Sequence, residues 1–361
     1  MSPRSRKNAV SHFNIMVVGF SGAGKTSFIR TLLESLKMSM PHDKRNSFFH
    51  QPELPSEAHG PLQKTASPYT ISMNIEVDGE KVALTLIDTP GFQTEYMVDK
   101  QLQDIVGYME HQFDLALNEE TKVKRNPKAV DTQVHACLYF LDPSKRTLGE
   151  YDIRILNRLA QRANVIPVVG KADTLTAAQR RRLRPAIMES IYNVHKIPIY
   201  GMPEDDEEDD EDEDEDENEN ANIEEKRDEA DAAPPLDEFL QQFDYNEEDE
   251  ETQAFIDYLR MIPYSVIAYE DEPETGRPIE IEGVALGRDY GWVTIDCLSD
   301  KYSHFISLKD MLLGTHRRIL QSETVERYYE RYRTERLLIK RATKLKSMDV
   351  GQKILEDLNH L

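Results

Sequence analysis

The chain predicts an α/β fold with a mostly parallel sheet organised around a phosphate-binding loop, and three observations carry that prediction. Near-continuous apolar runs at residues 13–18, 134–141 and 165–169 have the character of strands covered on both faces. Helical patterns separate these runs, the alternation expected of a parallel sheet with crossover helices. The first run leads into Gly19-Phe20-Ser21-Gly22-Ala23-Gly24-Lys25-Thr26-Ser27 and then a helix, a layout that turns backbone N–H groups inward around phosphate oxygens. In that loop Lys25 is placed to reach the β- and γ-phosphates and Thr26 to hold Mg²⁺.

Taken in order, residues 1–12 form a polar arm with Arg4, Arg6 and Lys7, expected to be disordered and to offer a few charges to an anionic membrane surface. Residues 27–38 read as the helix after the loop. Residues 39–68 hold five prolines and no sustained periodicity, so they read as a loop. Residues 69–77 and 81–87 alternate apolar with polar around Asp78-Gly79, the chemistry of a two-residue hairpin turn. Helices are expected at 101–117, 148–162 and 176–192, with the strands 134–141 and 165–169 between them. Beyond 251 the pattern gives a short helix at 252–259, a strand at 264–269, a hairpin or two separate β segments at 280–286 and 292–298, and a helix at 305–320. Residues 323–361 are helical and heavily charged, with Tyr328, Tyr329, Tyr332, Leu337 and Leu338 clustered and no heptad repeat sustained enough for a coiled coil.

The net charge of −23 belongs to one segment. Residues 204–251 carry 28 of the 67 acidic side chains and only Lys226 and Arg227 among the basic ones, leaving the rest of the chain near +3. Such a run buries too little apolar surface to offset its ordering entropy, so it is expected to be a disordered surface insertion. It would repel anionic surfaces, recruit a basic partner or serve as a spacer. Cys137 and Cys297 sit far apart within apolar runs, which suits small buried thiols in a reducing compartment and a cytoplasmic address. The longest apolar runs, about six residues, are too short for a membrane span or a signal-peptide core, and no nucleic-acid partner is expected.

Two further motifs specify the nucleotide. Asp88-Thr89-Pro90-Gly91 closes a strand, where Asp88 can reach Mg²⁺ and the Gly91 N–H can approach a γ-phosphate. Gly170-Lys171-Ala172-Asp173 follows the buried run 165–169. There the Asp173 carboxylate can accept two hydrogen bonds from guanine N1–H and the 2-amino group, which adenine does not supply, while the Lys171 stem lies along the base. Each motif follows a predicted strand, in the order a GTP site requires. GTP or GDP with Mg²⁺ is therefore the expected ligand.

These residues resemble the septin family, from Phe13 to about Leu338. FNIMVVGFSGAGKTSFI is similar to the septin phosphate loop, LTLIDTPGF to its second motif, and VHACLYFLDP with NVIPVVGKADTLT to its core. GRDYGW resembles the start of the septin unique element, and FISLKDMLLGTH with YYERYRTERL its remainder. The resemblance implies a Ras-like P-loop GTPase domain extended by that element, slow or absent hydrolysis, and end-to-end assembly with itself and other septins into filaments at the cell cortex or septum. It divides the chain into the arm 1–12, a GTP-binding domain 13–298 interrupted by the insertion 204–251, the rest of the unique element 299–338, and a helical tail 339–361. It also puts Arg288 beside the guanine base, and Thr65 where hydrolysing septins keep a switch threonine that orients water. Trp292 would lie in the contact between subunits meeting across their nucleotide pockets; as the chain's only tryptophan it is otherwise a core candidate.

Four positions depart from the family pattern. Ala268-Tyr269 stands where a glycine turn is usual, Arg146 where a histidine crosses the dimer, Phe92-Gln93-Thr94 where Phe-Gly-Asp is usual, and Gly291 where a proline precedes the tryptophan. The expected function is that of an assembly protein whose nucleotide shapes its interfaces. The alternative is a turnover GTPase, a switch whose loop 39–68 orders around γ-phosphate and relaxes on hydrolysis. A kinase using the same loop would leave Lys171 and Asp173 without a task.

Overall fold

Seven consecutive buried residues make β1 (Ser11–Gly19) the spine of the sheet in the computed structural model. The structure describes residues 10–40, 60–93, 97–124, 130–145, 147–202, 240, 244–245 and 248–344. β1 starts at Ser11, inside the segment expected to be a free arm, because Ser11 and His12 already pair with Val82 and Ala83. Two more strands are buried at every position, β4 (Ala136–Leu141) and β5 (Val165–Val169), as their unbroken apolar sequences require. β2 (Tyr69–Val77) and β3 (Glu80–Asp88) form the expected hairpin. Its turn residues Asp78 and Gly79 both have positive φ, 51° and 75°, the conformation that favours an Asp-Gly pair.

The six-stranded sheet runs in the order β2-β3-β1-β4-β5-β6, where β6 is Tyr264–Ser265. Only the β2–β3 pair is antiparallel. The strand order reverses beside β1, and ligands of such sheets bind at the carboxyl ends of strands near that reversal. Helices α1 (Lys25–Ser39), α2 (Val98–Glu120), α3 (Glu150–Ala160), α4 (Ala177–Glu189) and α5 (Glu250–Met261) connect or follow the strands. On α1, Phe28, Ile29, Leu32, Leu33 and Leu36 share one buried face, and the Phe28 ring packs 5.4 Å from Phe140 and 5.8 Å from Phe305. β7 (Gly287–Asp289) and β8 (Thr294–Asp296) form a separate antiparallel pair, followed by α6 (Phe305–Asp310), α7 (Arg317–Glu323) and α8 (Glu330–Lys344).

Several expected elements are redrawn by side-chain acceptors and tertiary contacts. The strand expected at 264–269 is regular only over Tyr264–Ser265: the Val266 N–H still donates to Val169 O of β5 at 2.9 Å, while on the opposite edge the N–H of Ile267 donates to Ser303 Oγ and that of Tyr269 to Thr31 Oγ1. Residues 280–286 are not a strand; they fold into a tight turn bridged between Ile281 and Val284, and the hairpin forms downstream. Helix 305–320 is interrupted by a π turn at Met311–Thr315, and a second π turn, Thr324–Tyr329, precedes α8. Tyr328, Tyr329 and Tyr332 are buried against Phe113 and Leu117 of α2, whereas Leu337 and Leu338 are exposed. The tyrosines share the helix face that also carries Arg336 to Asp114 at 2.8 Å; the two leucines project elsewhere.

The acidic segment does not extend to residue 251. Leu240 is buried in the main core, the Tyr245 hydroxyl donates to Asp257 at 2.9 Å, and the Asp249 carboxylate caps α5 by accepting the Thr252 N–H at 2.8 Å. The remainder of that segment, the expected arm before residue 10, most of the 39–68 loop, Arg146, and the tail beyond 344 lie outside the described residues. Among the described residues, no helix is long and apolar enough to cross a membrane.

Candidate nucleotide site

The loop after β1 takes its shape from glycines that no other residue replaces. Gly22 and Gly24 have φ of 82° and 97°, and a Cβ on Gly19 would stand 2.6 Å from the Phe140 carbonyl oxygen. The first helical bond of α1 runs from Phe28 N–H to Gly24 O at 2.9 Å, so the N–H groups of Lys25, Thr26 and Ser27 precede the ladder. No side chain caps this helix end and no acidic residue lies in its first turn, which leaves those donors and the helix dipole for an anion. Two loop amides are committed to the protein: Ser21 N–H donates to Phe92 O at 2.9 Å and Ala23 N–H to Phe20 O at 3.2 Å. Any contact of Ser21 with a nucleotide therefore falls to its side chain.

The second motif docks on this loop. A Cβ at Gly91 would meet Ser21 Cα at 2.5 Å and Lys25 Nζ at 2.9 Å, so only glycine fits. Lys25 is 6 % exposed, and its ammonium donates to Gly19 O at 2.9 Å and Phe20 O at 3.0 Å. Burial pushes its pKa down to about 8, against the opposing pull of Asp88.

Asp88, fully buried at the end of β3, gathers two hydroxyls: Thr26 Oγ1 donates to its Oδ2 at 2.6 Å and Thr65 Oγ1 to the same atom at 3.0 Å. The hydroxyl oxygens stand 3.3 Å apart. Asp88 Oδ1 is buried with no hydrogen-bond partner, a loss of about 1–3 kcal/mol unless something else satisfies it. An all-oxygen donor set with an unpartnered carboxylate oxygen fits Mg²⁺, which typically takes one or two carboxylates and completes its shell with phosphate and water. Thr65 is held near by an anchor absent from any motif. Arg30 Nη1 donates to Gly60 O at 2.9 Å and lies 3.5 Å from Asp271 Oδ2, and a Cβ at Gly276 would fall 1.8 Å from Gly60 O. The segment leading to Thr65 is thus seated on the 271–276 turn.

In the third motif, Gly170 lies so close to the glycine loop that a Cβ would stand 2.1 Å from Ala23 O. Lys171, at φ 49°, runs its stem beside Gly24. Asp173 sits on the 3₁₀ turn Ala172–Thr174. The β7–β8 hairpin reaches it: Arg288 Nε is 3.7 Å from Asp173 Oδ2, and the Tyr290 hydroxyl donates to the same oxygen. Tyr290 escaped the sequence reading. Its signal was the two-residue strand spacing from Arg288, which puts both side chains on one face. Burial, then the Asp173 carboxylate, pushes the Tyr290 pKa up to about 12. Trp292 follows Gly291, whose φ is 77°, and is 84 % exposed, so the core alternative falls in this chain. Its ring lies 6.3 Å from that of Tyr290. At the departure Ala268-Tyr269, the Tyr269 hydroxyl donates to Gly276 O at 3.3 Å and Ala268 O accepts from Arg288 Nη1 at 3.5 Å.

Comparison with known proteins identifies the family and the fold. The family model described as Septin matches residues 10–226 and 236–346. The septin homolog spn3 of Schizosaccharomyces pombe is 33% identical over 326 residues, spanning 90% of this chain and 72% of that protein. Cell division control protein 11 of Saccharomyces cerevisiae is 31% identical over 90% of this chain and 66% of its own length. For human Septin-9 the figures are 31%, 90% and 46%, so the chain spans less than half of that relative. The crystal structure of the septin GTPase domain from Chlamydomonas reinhardtii superposes with a TM-score of 0.56 at 21% identity, covering 90% of this chain and all of that one, which supports the fold. A P-loop α/β GTPase sheet with an added β7–β8 element, together with a family match over most of its length, places the chain in the septin family.

Proposed function

We propose that this chain binds GTP or GDP with Mg²⁺ and works chiefly as an assembly subunit, pairing with itself or another septin through the face that covers its nucleotide. The supporting observation is the β7–β8 hairpin, which carries Arg288 and Tyr290 at the Asp173 carboxylate and, two residues on, the exposed Trp292. One short hairpin thereby contacts the proposed base reader and carries the exposed tryptophan, which would give nucleotide occupancy a direct route to an interface. In this reading the loop amides and Lys25 hold the phosphates, Thr26 and Asp88 hold Mg²⁺, and Arg288 stacks beside the base. Bound Mg²⁺ supplies charge neutralisation at the phosphate oxygens. Filament assembly at the cortex or septum, and any contact with an anionic membrane, belong to this proposal.

The second reading, a turnover GTPase, draws support from the Thr65 hydroxyl on Asp88, beside the place a γ-phosphate would occupy. Orienting water is a transition-state task, so Thr65→Ala should abolish single-turnover hydrolysis while changing nucleotide affinity little. Identifying the nucleotide released on denaturation, alongside sedimentation of the wild type, tests the main proposal. Bound guanine nucleotide with a dimer or larger assembly is the expected result; a nucleotide-free monomer would overturn it.

A further inference from the structure

Asp173, the proposed base reader, stands on a three-residue turn outside the sheet, so its aim depends on whatever fixes that turn. We propose that Arg180 is the positioning residue that fixes it and thereby sets the guanine preference, an inference that rests on the assignment of Asp173 to the base. Arg180 lies in the first turn of α4, where its own N–H donates to Thr176 O at 2.9 Å, and Thr176 and Gln179 cap that helix end reciprocally. Its guanidinium spans two carbonyls. Nη2 donates to Ala172 O at 3.3 Å, the residue before Asp173, and Nη1 to Tyr302 O at 2.8 Å.

Both partners matter to the pocket. Ala172 is fully buried and its N–H donates to Val266 O at 3.1 Å; its carbonyl accepts the Leu175 N–H at 3.2 Å, which closes the turn, and Arg180 Nη2 is the side-chain donor that ties the same oxygen to α4. Tyr302 belongs to the turn after β8, whose next residue, Ser303, accepts the Ile267 N–H. Ala172, Ile267, Leu286 and Cys297 form a small core beneath the base site, with Tyr302 packed on it. Arg180 therefore links the Asp173 turn to the segment that follows the Arg288–Tyr290 hairpin, the two walls that would enclose a base.

Charge acts in the same direction. The Arg180 cation is near enough to Asp173 for the carboxylate to oppose the effect of burial on the guanidinium, so the two side chains attract each other across the turn. A lysine would keep the charge but lacks the planar fork needed to span both carbonyls.

The test uses the full chain freed of nucleotide, with Arg180→Met and Arg180→Lys compared against wild type. Competition binding measures GDP, IDP, which lacks the 2-amino group, and inorganic tripolyphosphate, which meets the phosphate loop alone. Arg180→Met is expected to weaken GDP about tenfold, to shrink the GDP-to-IDP ratio, and to leave tripolyphosphate unchanged. Arg180→Lys is expected to recover part of the loss. A folded Arg180→Met with the wild-type ratio, or with equal losses for all three ligands, overturns the proposal. If the methionine variant does not fold, the lysine variant decides: a reduced ratio supports the role and a wild-type ratio removes it. A wild type that binds GDP and IDP equally would instead overturn the Asp173 assignment and the Arg180 role together, so the two failures are told apart.

Discussion

The two ends of the nucleotide site are built differently. At the phosphate end, residues 19–27 bring glycine turns, free helix amides, Lys25 and Thr26 within one short stretch, and the side chains that join them, Asp88 and Thr65, are buried. At the end proposed to take the base, Asp173 meets Arg288 and Tyr290 across more than a hundred residues of chain, at a surface where Trp292 is open to solvent. In the proposed reading, the buried, locally encoded cradle would supply affinity. A base reader assembled at the surface from distant segments would tie specificity to whatever covers that surface. Changes at the first end should therefore remove binding, and changes at the second should alter selectivity and pairing.

The largest effect is expected at Lys25. Lys25→Met should weaken GTP at least 100-fold, roughly 3 kcal/mol, because a charge-assisted contact to phosphate is lost. The same change should stabilise the nucleotide-free protein by roughly 1–3 kcal/mol, since a cation held at a pKa of about 8 is costly to bury at neutral pH. Chemical denaturation and calorimetric titration of that variant read both numbers. A simultaneous loss of binding and of stability would contradict the cradle described here.

Asp173→Asn comes next, with an expected loss of roughly 2 kcal/mol in GTP affinity and little change for ATP. Equal binding of GTP and ATP by the wild type would break the contrast between the two ends.

Proton linkage sharpens the comparison further. The depressed pKa of Lys25 means that the unfolded chain holds more protons between about pH 8 and 10.5, so nucleotide-free stability should rise with pH across that window. Phosphate would hold Lys25 charged, so binding takes up a proton above pH 8. GTP affinity should then be flat below that pH and fall by up to about tenfold per unit above it. A flat profile to pH 9.5 by fluorescence titration would show that Lys25 is not the limiting charge.

The smallest effect on stability is expected at Trp292. Because that side chain is 84 % exposed, Trp292→Ala should change monomer stability by no more than about 0.5 kcal/mol while weakening pairing in sedimentation. Lost stability with unchanged association would return Trp292 to a structural role.

Deletion of the acidic segment deserves a corrected boundary. Removing 204–239 should leave the fold and nucleotide binding intact, whereas removal through 251 would also take Leu240 from the core and Asp249 from the cap of α5.

What the sequence determined by itself was the chemistry that lies in contiguous residues. The spacing of Gly19, Gly24, Lys25 and Thr26 encodes a backbone conformation directly, and the unbroken apolar runs of β1, β4 and β5 encode burial on both faces. Asp-Gly chemistry likewise set the β2–β3 turn. Only the tertiary structure decided matters that turn on partners far away in the chain. Ser303 and Thr31 hydroxyls accept the outer-edge amides of what the pattern had drawn as a longer β6, Tyr290 reaches Asp173 only when the hairpin packs beside it, and Arg30 seats the approach to Thr65 through Gly60 and Gly276. The physical reason is common to all of them. Local conformational preference acts over a few residues, whereas a hydrogen bond between distant side chains and backbone is specified only once packing has brought them together.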